Sequence, residues 1–266
     1  MQTGIYTDIP AADYHAMTEY VSNSMLGRFA RCPAAVKVQD EDSKALTFGS
    51  MFHKHTLEPY TFADEYAVAP EGIDRRTTAG KAAWAEFEQT AQYRTVVTAA
   101  DYALAKQMAA AINAHPFASR LMQTPGRATE QSVFWLDGLS GEPCKCRIDL
   151  TFPEQRTLVD LKSTSDASEE AFLRSVIKYG YARQSAMYLD GRNAVSADPF
   201  DTFIFIAVEK TAPFRVEVYR MDDGLIDYGR EEYRRLLAEY SACREADTFH
   251  NYRNEGITTL YRPAYL

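Results

Sequence analysis

The sequence has little of what would make it a membrane protein, a disulfide scaffold or a basic coat for nucleic acid. Its longest strongly apolar run, Phe203-Ile204-Phe205-Ile206-Ala207-Val208, falls far short of the roughly 20 residues that a membrane-spanning helix needs. The first residues, Met1-Gln2-Thr3-Gly4-Ile5-Tyr6-Thr7-Asp8, carry neither a basic leader nor an apolar centre, so no secretory signal is read and a cytoplasmic location is expected. Four cysteines, Cys32, Cys144, Cys146 and Cys243, are too few to staple 266 residues, and free thiols are the expectation. No internal repeat or low-complexity tract is present. Positive charge is not in excess: 29 basic residues face 37 acidic ones, a net charge of -8, which argues against nonspecific coating of nucleic acid. An enzyme that confines its substrate to a narrow basic channel is still compatible with an acidic exterior.

What is present suits one large domain: 46% apolar and 12% aromatic residues can bury a substantial core. Residues 1–97 read as a mainly helical extension, 98–250 as a core with a closing helix, and 251–266 as a tyrosine-rich tail that packs on another surface. Ser22-Asn23-Ser24 caps a helix that stops at Cys32-Pro33, a second covers Leu46 to Leu57, and Tyr66-Ala67-Val68 is strand-like. The basic piece Asp74 to Lys81 reads as a loop running into a helix over Ala82 to Gln89. A long helix from Thr98 to Asn113 follows, with a short continuation to Met122. The pattern then switches to a three-stranded meander: Thr129 to Leu136, Pro143 to Phe152 and Arg156 to Lys162. A helical stretch from Ser168 to Leu189, broken at Tyr179-Gly180, leads to strands at Thr202 to Val208 and Phe214 to Tyr219 and a helix from Leu225 to Glu245. The class is mixed α/β.

Charges inside the meander carry the functional signal. Along Thr157-Leu158-Val159-Asp160-Leu161-Lys162 side chains alternate, so Asp160 and Lys162 share one face and Val159 and Leu161 take the other. Asp149 ends an apolar stretch on the neighbouring strand, within reach of an ion shared with Asp160. A hard cation such as Mg2+ takes one or two carboxylates and leaves the remaining positions to water and phosphate, so this pair suits phosphodiester hydrolysis; exposed turn aspartates are the alternative. Lys162 can stabilise developing charge or, with a lowered pKa, help deprotonate water; otherwise it snorkels at a strand edge. Glu130 opens the first strand of the meander and can reach the ion directly or through water, or sit at the surface. Gln184 and Tyr188, spaced i, i+4 on a helix, can point at the same place, with core packing the rival account of Tyr188. His53, four residues after Gly49, can complete a metal shell, although nitrogen is not the preferred ligand of Mg2+.

Glu130, Asp149, Asp160-Leu161-Lys162 and Gln184-Ser185-Ala186-Met187-Tyr188 resemble, in order and setting, the motif series of the PD-(D/E)XK nuclease superfamily. Phe48-Gly49-Ser50-Met51-Phe52-His53, Leu57-Glu58-Pro59, Arg75-Arg76-Thr77, Ala79-Gly80-Lys81 and Cys144-Lys145-Cys146-Arg147-Ile148-Asp149 are similar to pieces of the RecE exonuclease (exonuclease VIII) family, from about Gly4 to about Tyr252. The resemblance implies a PD-(D/E)XK core, a central mixed sheet flanked by helices, with a helical N-terminal extension. It implies His53, Asp149 and Asp160 around Mg2+ (Mn2+ being possible), and Lys162, Glu130, Gln184 and Tyr188 as the catalytic set. It further implies digestion of linear double-stranded DNA from 5' ends to leave 3' tails, a single-strand annealing partner of RecT type, and a ring-shaped homo-oligomer, a tetramer being favoured. Charge and position make Arg75, Arg76 and Lys81 the candidates for DNA phosphates, an exposed loop being the alternative. The cysteines lack the spacing of the cluster-bearing Cas4 and AddB type nucleases, so no iron-sulfur cluster is expected, and Cys144-x-Cys146 alone is a weak metal signal. Rival readings are an endonuclease or junction resolvase on the same fold, and a catalytically degenerate DNA-binding scaffold.

Overall fold

A computed structural model describes residues 1–38, 43–252, 257 and 259–262. The chain runs β1 (Gly4–Tyr6), α1 (Ala11–Ala16), α2 (Asn23–Arg31), α3 (Lys44–Leu57), α4 (Phe62–Glu65), β2 (Tyr66–Val68), α5 (Thr78–Ala91), β3 (Thr95–Val97), α6 (Ala99–Ala114) and α7 (Pro116–Gln123). It continues through β4 (Ala128–Leu136), β5 (Pro143–Phe152), β6 (Thr157–Thr164), α8 (Glu169–Lys178), α9 (Tyr181–Ala194), β7 (Thr202–Glu209), β8 (Val216–Arg220) and α10 (Asp223–Glu245). Helix starts follow from local chemistry. The hydroxyls of Ser22, Ser43, Thr77 and Thr98 and the carboxylate of Asp222 accept backbone N–H groups that the first helical turn leaves without partners.

Six strands form one sheet in the order β1-β4-β5-β6-β7-β8, and β2 and β3 form a small parallel pair. The ladder is antiparallel except between β6 and β7, where Thr157 to Thr164 pair in parallel with Thr202 to Glu209. A parallel pair needs a crossover, and α8 and α9 supply it. Strand β7 is apolar on both sides because both faces of the sheet are covered. Phe203, Phe205 and Ala207 join a core with Leu26, Phe29, Phe172, Ala186 and Leu237 from α2, α8, α9 and α10. Ile204, Ile206 and Val208 join a second core with Met51, Phe52, Met108, Ile112 and Met122 from α3, α6 and α7. Residues 1–97, read as an extension, therefore bury side chains on both faces of the sheet.

Several sequence expectations shift at their edges. Thr77 caps a helix that begins at Thr78, so Gly80 and Lys81 lie in its first turn rather than in the loop. Strand β6 starts one residue later than expected because Arg156 turns the chain with φ 50. The short elements β1, α1 and β3 were not read from the sequence; three strand residues or fewer than two helical turns leave too little periodicity to detect. Of the tail, residues 253–256, 258 and 263–266 lie outside the described residues. Tyr252, Ile257, Leu260 and Tyr261 are exposed.

Candidate metal centre and active site

The meander opens where its acids sit. Strand β5 pairs with β6 only from Leu150↔Val159 to Phe152↔Thr157; from Asp160 onward β6 is paired with β7. On the other side the β4–β5 ladder carries Gln131↔Ile148 and Thr129↔Leu150 but not Glu130 with Asp149. Glu130 has φ 49, a conformation that costs a non-glycine residue energy and is tolerated where the surroundings fix it. Around Asp149 the alternation along β5 breaks as well: Ile148 faces the first core, whereas Leu150 faces the second. The separation leaves the Leu161 N–H without a β5 carbonyl, and Asp149 Oδ2 accepts it at 2.7 Å.

Three groups converge in that opening. His53 Nδ1 lies 3.3 Å from Asp149 Oδ2, and ligand atoms of His53, Glu130 and Asp149 all lie within 4.8 Å of one another. That span suits one ion with bonds of about 2.1–2.4 Å. His53 is carried in from α3, whose neighbouring Met51 and Phe52 are fully buried in the second core. Asp160 lies outside this trio. Its Oδ1 is 2.5 Å from Lys162 Nζ, and its Oδ2 accepts a hydrogen bond from the Gln184 amide of α9. Tyr188, one turn beyond Gln184, is half-buried and sets its ring edge-on against Phe203, 6.3 Å between centroids.

The charges are arranged as a site that would gain from a cation. Burial, with the repulsion of Asp149, pushes the Glu130 carboxyl above its ordinary range. Burial raises Asp160 to about 6 although Lys162 works against it. Asp149 goes the other way: burial opposes its charge, but His53, Lys162 and the Leu161 N–H hold it below the usual range. Burial opposes charge on His53 too, yet Asp149 lifts it to about 9. Lys162 loses solvation but is held above its ordinary value by Asp160, Tyr181 and Asp149. The ammonium is thus favoured, which suits charge stabilisation. The Glu130 and Asp160 carboxyls, both with raised pKa, beside the His53 imidazole and the Asp149 carboxylate, form an oxygen-rich donor set of the kind hard divalent ions select.

Two further residues complete the surroundings. Arg147, two positions before Asp149, places Nε 2.7 Å from Glu130 Oε2 and donates through Nη1 to the Ile9 carbonyl at 3.0 Å. Tyr181 lies under the Lys162 ammonium, 4.7 Å from Nζ to the ring centroid. Arg147 stood within the Cys146-Arg147-Ile148-Asp149 piece, but nothing in the sequence tied it to Glu130. The contacts of Arg75 and Arg76 are with their own loop and helix. Arg76 is engaged by Asp74, with Nε 2.9 Å from Oδ1, Arg75 stacks on Trp84 at 4.1 Å, and Lys81 is exposed. Cys144 and Cys146 are buried in the first core, and burial pushes both thiols far up.

A mixed sheet covered by helices on both faces, with its acids where two central strands part, defines an α/β fold of the PDDEXK nuclease type. The chain belongs to the family described as PDDEXK-like domain of unknown function (DUF3799), whose model matches residues 22–255. Among solved structures it is similar to a protein from Eubacterium rectale named "Putative exonuclease", at 16% identity and a TM-score of 0.62, over 97% of this chain and 96% of that one. It also matches a phage related exonuclease from Haemophilus somnus 129PT at 13% identity and a TM-score of 0.36, over 74% of this chain and 94% of that one. No curated protein matches the chain. Among the described residues no helix is long and apolar enough to cross a membrane.

Proposed function

We propose that this chain is a metal-dependent exonuclease acting on linear double-stranded DNA. The observation that carries the reading is the meeting of Asp149, His53 and Glu130 with the Asp160-Leu161-Lys162 strand where β5 and β6 separate. His53, Glu130 and Asp149 would hold the cation, with Asp160 beside them; the carboxylates suit Mg2+, and the His53 nitrogen admits Mn2+ as well. When bound, the ion supplies Lewis-acid charge at the scissile phosphate and lowers the pKa of the attacking water. Lys162 presents a fixed ammonium to the charge that develops on the phosphate, and Gln184 holds Asp160 so that the Asp160–Lys162 pair keeps its geometry. Tyr188 supports α9 against β7. Arg75 and Lys81 are the candidates for backbone phosphates, with Arg76 available once released from Asp74.

The finer features, digestion from 5' ends to leave 3' tails, strand-annealing recombination with a RecT-type partner, and a ring-shaped tetramer, belong to the same proposal and rest on the resemblance to RecE exonucleases. The test is digestion of end-labelled linear duplex and of covalently closed circular duplex by the purified protein, with and without Mg2+. Loss of the linear substrate only, and only with the metal, is expected. Equal cutting of the circle would transfer the reading to an endonuclease, and no cutting of either would leave a binding scaffold.

A further inference from the structure

The active-site lysine leads outward onto an aromatic step that the hydrolytic chemistry does not use. Helix α8 ends at Lys178 with Tyr179 as its C-cap, and Gly180 reverses the chain with φ 68 before α9 begins at Tyr181. This turn puts the rings of Tyr179 and Tyr181 5.8 Å apart and inclined by 34°. Tyr181 is the inner ring: it carries Lys162 Nζ at 4.7 Å and is wedged against Phe205 at 5.5 Å and Phe172 at 6.1 Å. Tyr179 is the outer ring. It is 55% exposed, and Lys178 holds its ammonium 5.2 Å from the ring centroid. Ile177 and Leu173, each about half exposed, extend the surface along α8.

Core packing accounts for Tyr181 but not for Tyr179, a large ring left in water with the Lys178 ammonium beside it and Lys162 on the inner ring. The occupant such a place selects has a flat π surface and an anionic linkage on either side. We propose that Tyr179 is a stacking platform for an unpaired nucleobase of the DNA strand whose phosphate meets Lys162. The inference rests on the nuclease reading and adds to it the form of the substrate: a frayed or single-stranded end. A base inside a duplex is already stacked on both neighbours and has no free face to give. Base–aromatic stacking is tolerant of sequence because each base has a π face, so the platform grips without selecting. The inner ring keeps the distance from Lys162 to the platform fixed, because Phe172 and Phe205 prevent Tyr181 from turning.

The test uses oligonucleotides carrying 2-aminopurine at successive positions from either end, single-stranded or in a fully paired duplex, bound in EDTA so that no cleavage occurs. Fluorescence quenching at one position near an end of the single strand is expected with wild type and with Tyr179→Phe. Tyr179→Ala should abolish that quenching and weaken single-strand binding about 5- to 100-fold, while thermal melting of the protein stays unchanged. Quenching that survives in Tyr179→Ala, or is equal at all positions, overturns the proposal. So does an unchanged quench together with a fall in solution mass by light scattering, which would make this face a contact between copies of the chain. Because the readout needs no catalysis, loss of the platform with intact digestion of linear duplex by wild type is distinguishable from failure of the nuclease reading itself.

Discussion

Arg147 ties Glu130 of the candidate metal site to the Ile9 backbone, and its removal has a calculable signature. Its guanidinium pairs with Glu130 at 2.7 Å and also holds the Ile9 carbonyl, with the Arg147 and Glu130 side chains only 17% and 14% exposed. At an effective dielectric of about 20, charges this close attract by roughly 6 kcal/mol before desolvation is counted. Breaking such a pair from one side costs about 3–5 kcal/mol where the remaining charge has no other partner; His53 still faces Glu130, so Arg147→Met is expected to lose about 3 kcal/mol. Glu130→Gln should cost less, about 1–2 kcal/mol, because burial and Asp149 already penalise the Glu130 charge. In the double variant the orphaned carboxylate is gone, so its loss should fall short of the sum by about 2 kcal/mol. The loss of the Ile9 contact is common to both variants lacking Arg147 and cancels in the cycle. Urea unfolding of the four proteins in EDTA measures this without metal binding at Glu130. Additivity within about 0.5 kcal/mol would refute the coupling and, with it, the role of Arg147 in setting Glu130.

Four other outcomes follow from the same geometry. Lys162→Ala should lower single-turnover cleavage of linear duplex by about 10²- to 10³-fold, and equal rates would show that this site does no chemistry. Asp149→Asn should weaken Mg2+ binding by calorimetry tenfold or more, whereas Asp160→Asn should weaken it less because Lys162 and Gln184 already hold both oxygens; equal losses contradict the grouping of His53, Glu130 and Asp149. In EDTA, His53 has its pKa raised from 6.5 to about 9, so its contribution, up to about 3 kcal/mol, is fully present below pH 6.5 and is lost as pH rises through 9. Unfolding of wild type and His53→Gln should therefore differ most near pH 6 and converge above pH 10, and a constant gap would oppose this. Gly229→Ala would put a Cβ 2.0 Å from the Ala182 carbonyl oxygen where α10 crosses α9, and a loss of about 3 kcal/mol in denaturant titration is expected; a neutral result would mean the two helices separate freely.

Much of this was legible because local rules act on short stretches. Ser22 and Thr98 mark helix starts by their own hydrogen bonds, whereas the sequence pattern starts the last helix at Leu225 and misses its Asp222 cap; the alternation of Leu158, Asp160 and Lys162 against Val159 and Leu161 puts the acid and the lysine on one face. The i, i+4 spacing of Gln184 and Tyr188 placed both on one side of α9, but their contacts differ: Gln184 reaches Asp160, and Tyr188 leans on Phe203. Periodicity gives the direction in which a side chain leaves its element. It does not give what stands opposite, because that depends on which elements pack there.

By itself the sequence determined the strand that carries Asp160 and Lys162, the helices that flank it, and the donor types fit for a hard cation, since each follows from residue chemistry and spacing within about ten positions. Tertiary structure alone decided that β5 and β6 part at Asp149, and that α3 delivers His53 to 3.3 Å from its carboxylate. It alone drew Glu130 into the trio through an arginine anchored on Ile9, and left Asp160 to Lys162 and Gln184. These contacts join residues far apart in the chain, and no local pattern specifies a distance that only the closing of the whole sheet and its two cores sets.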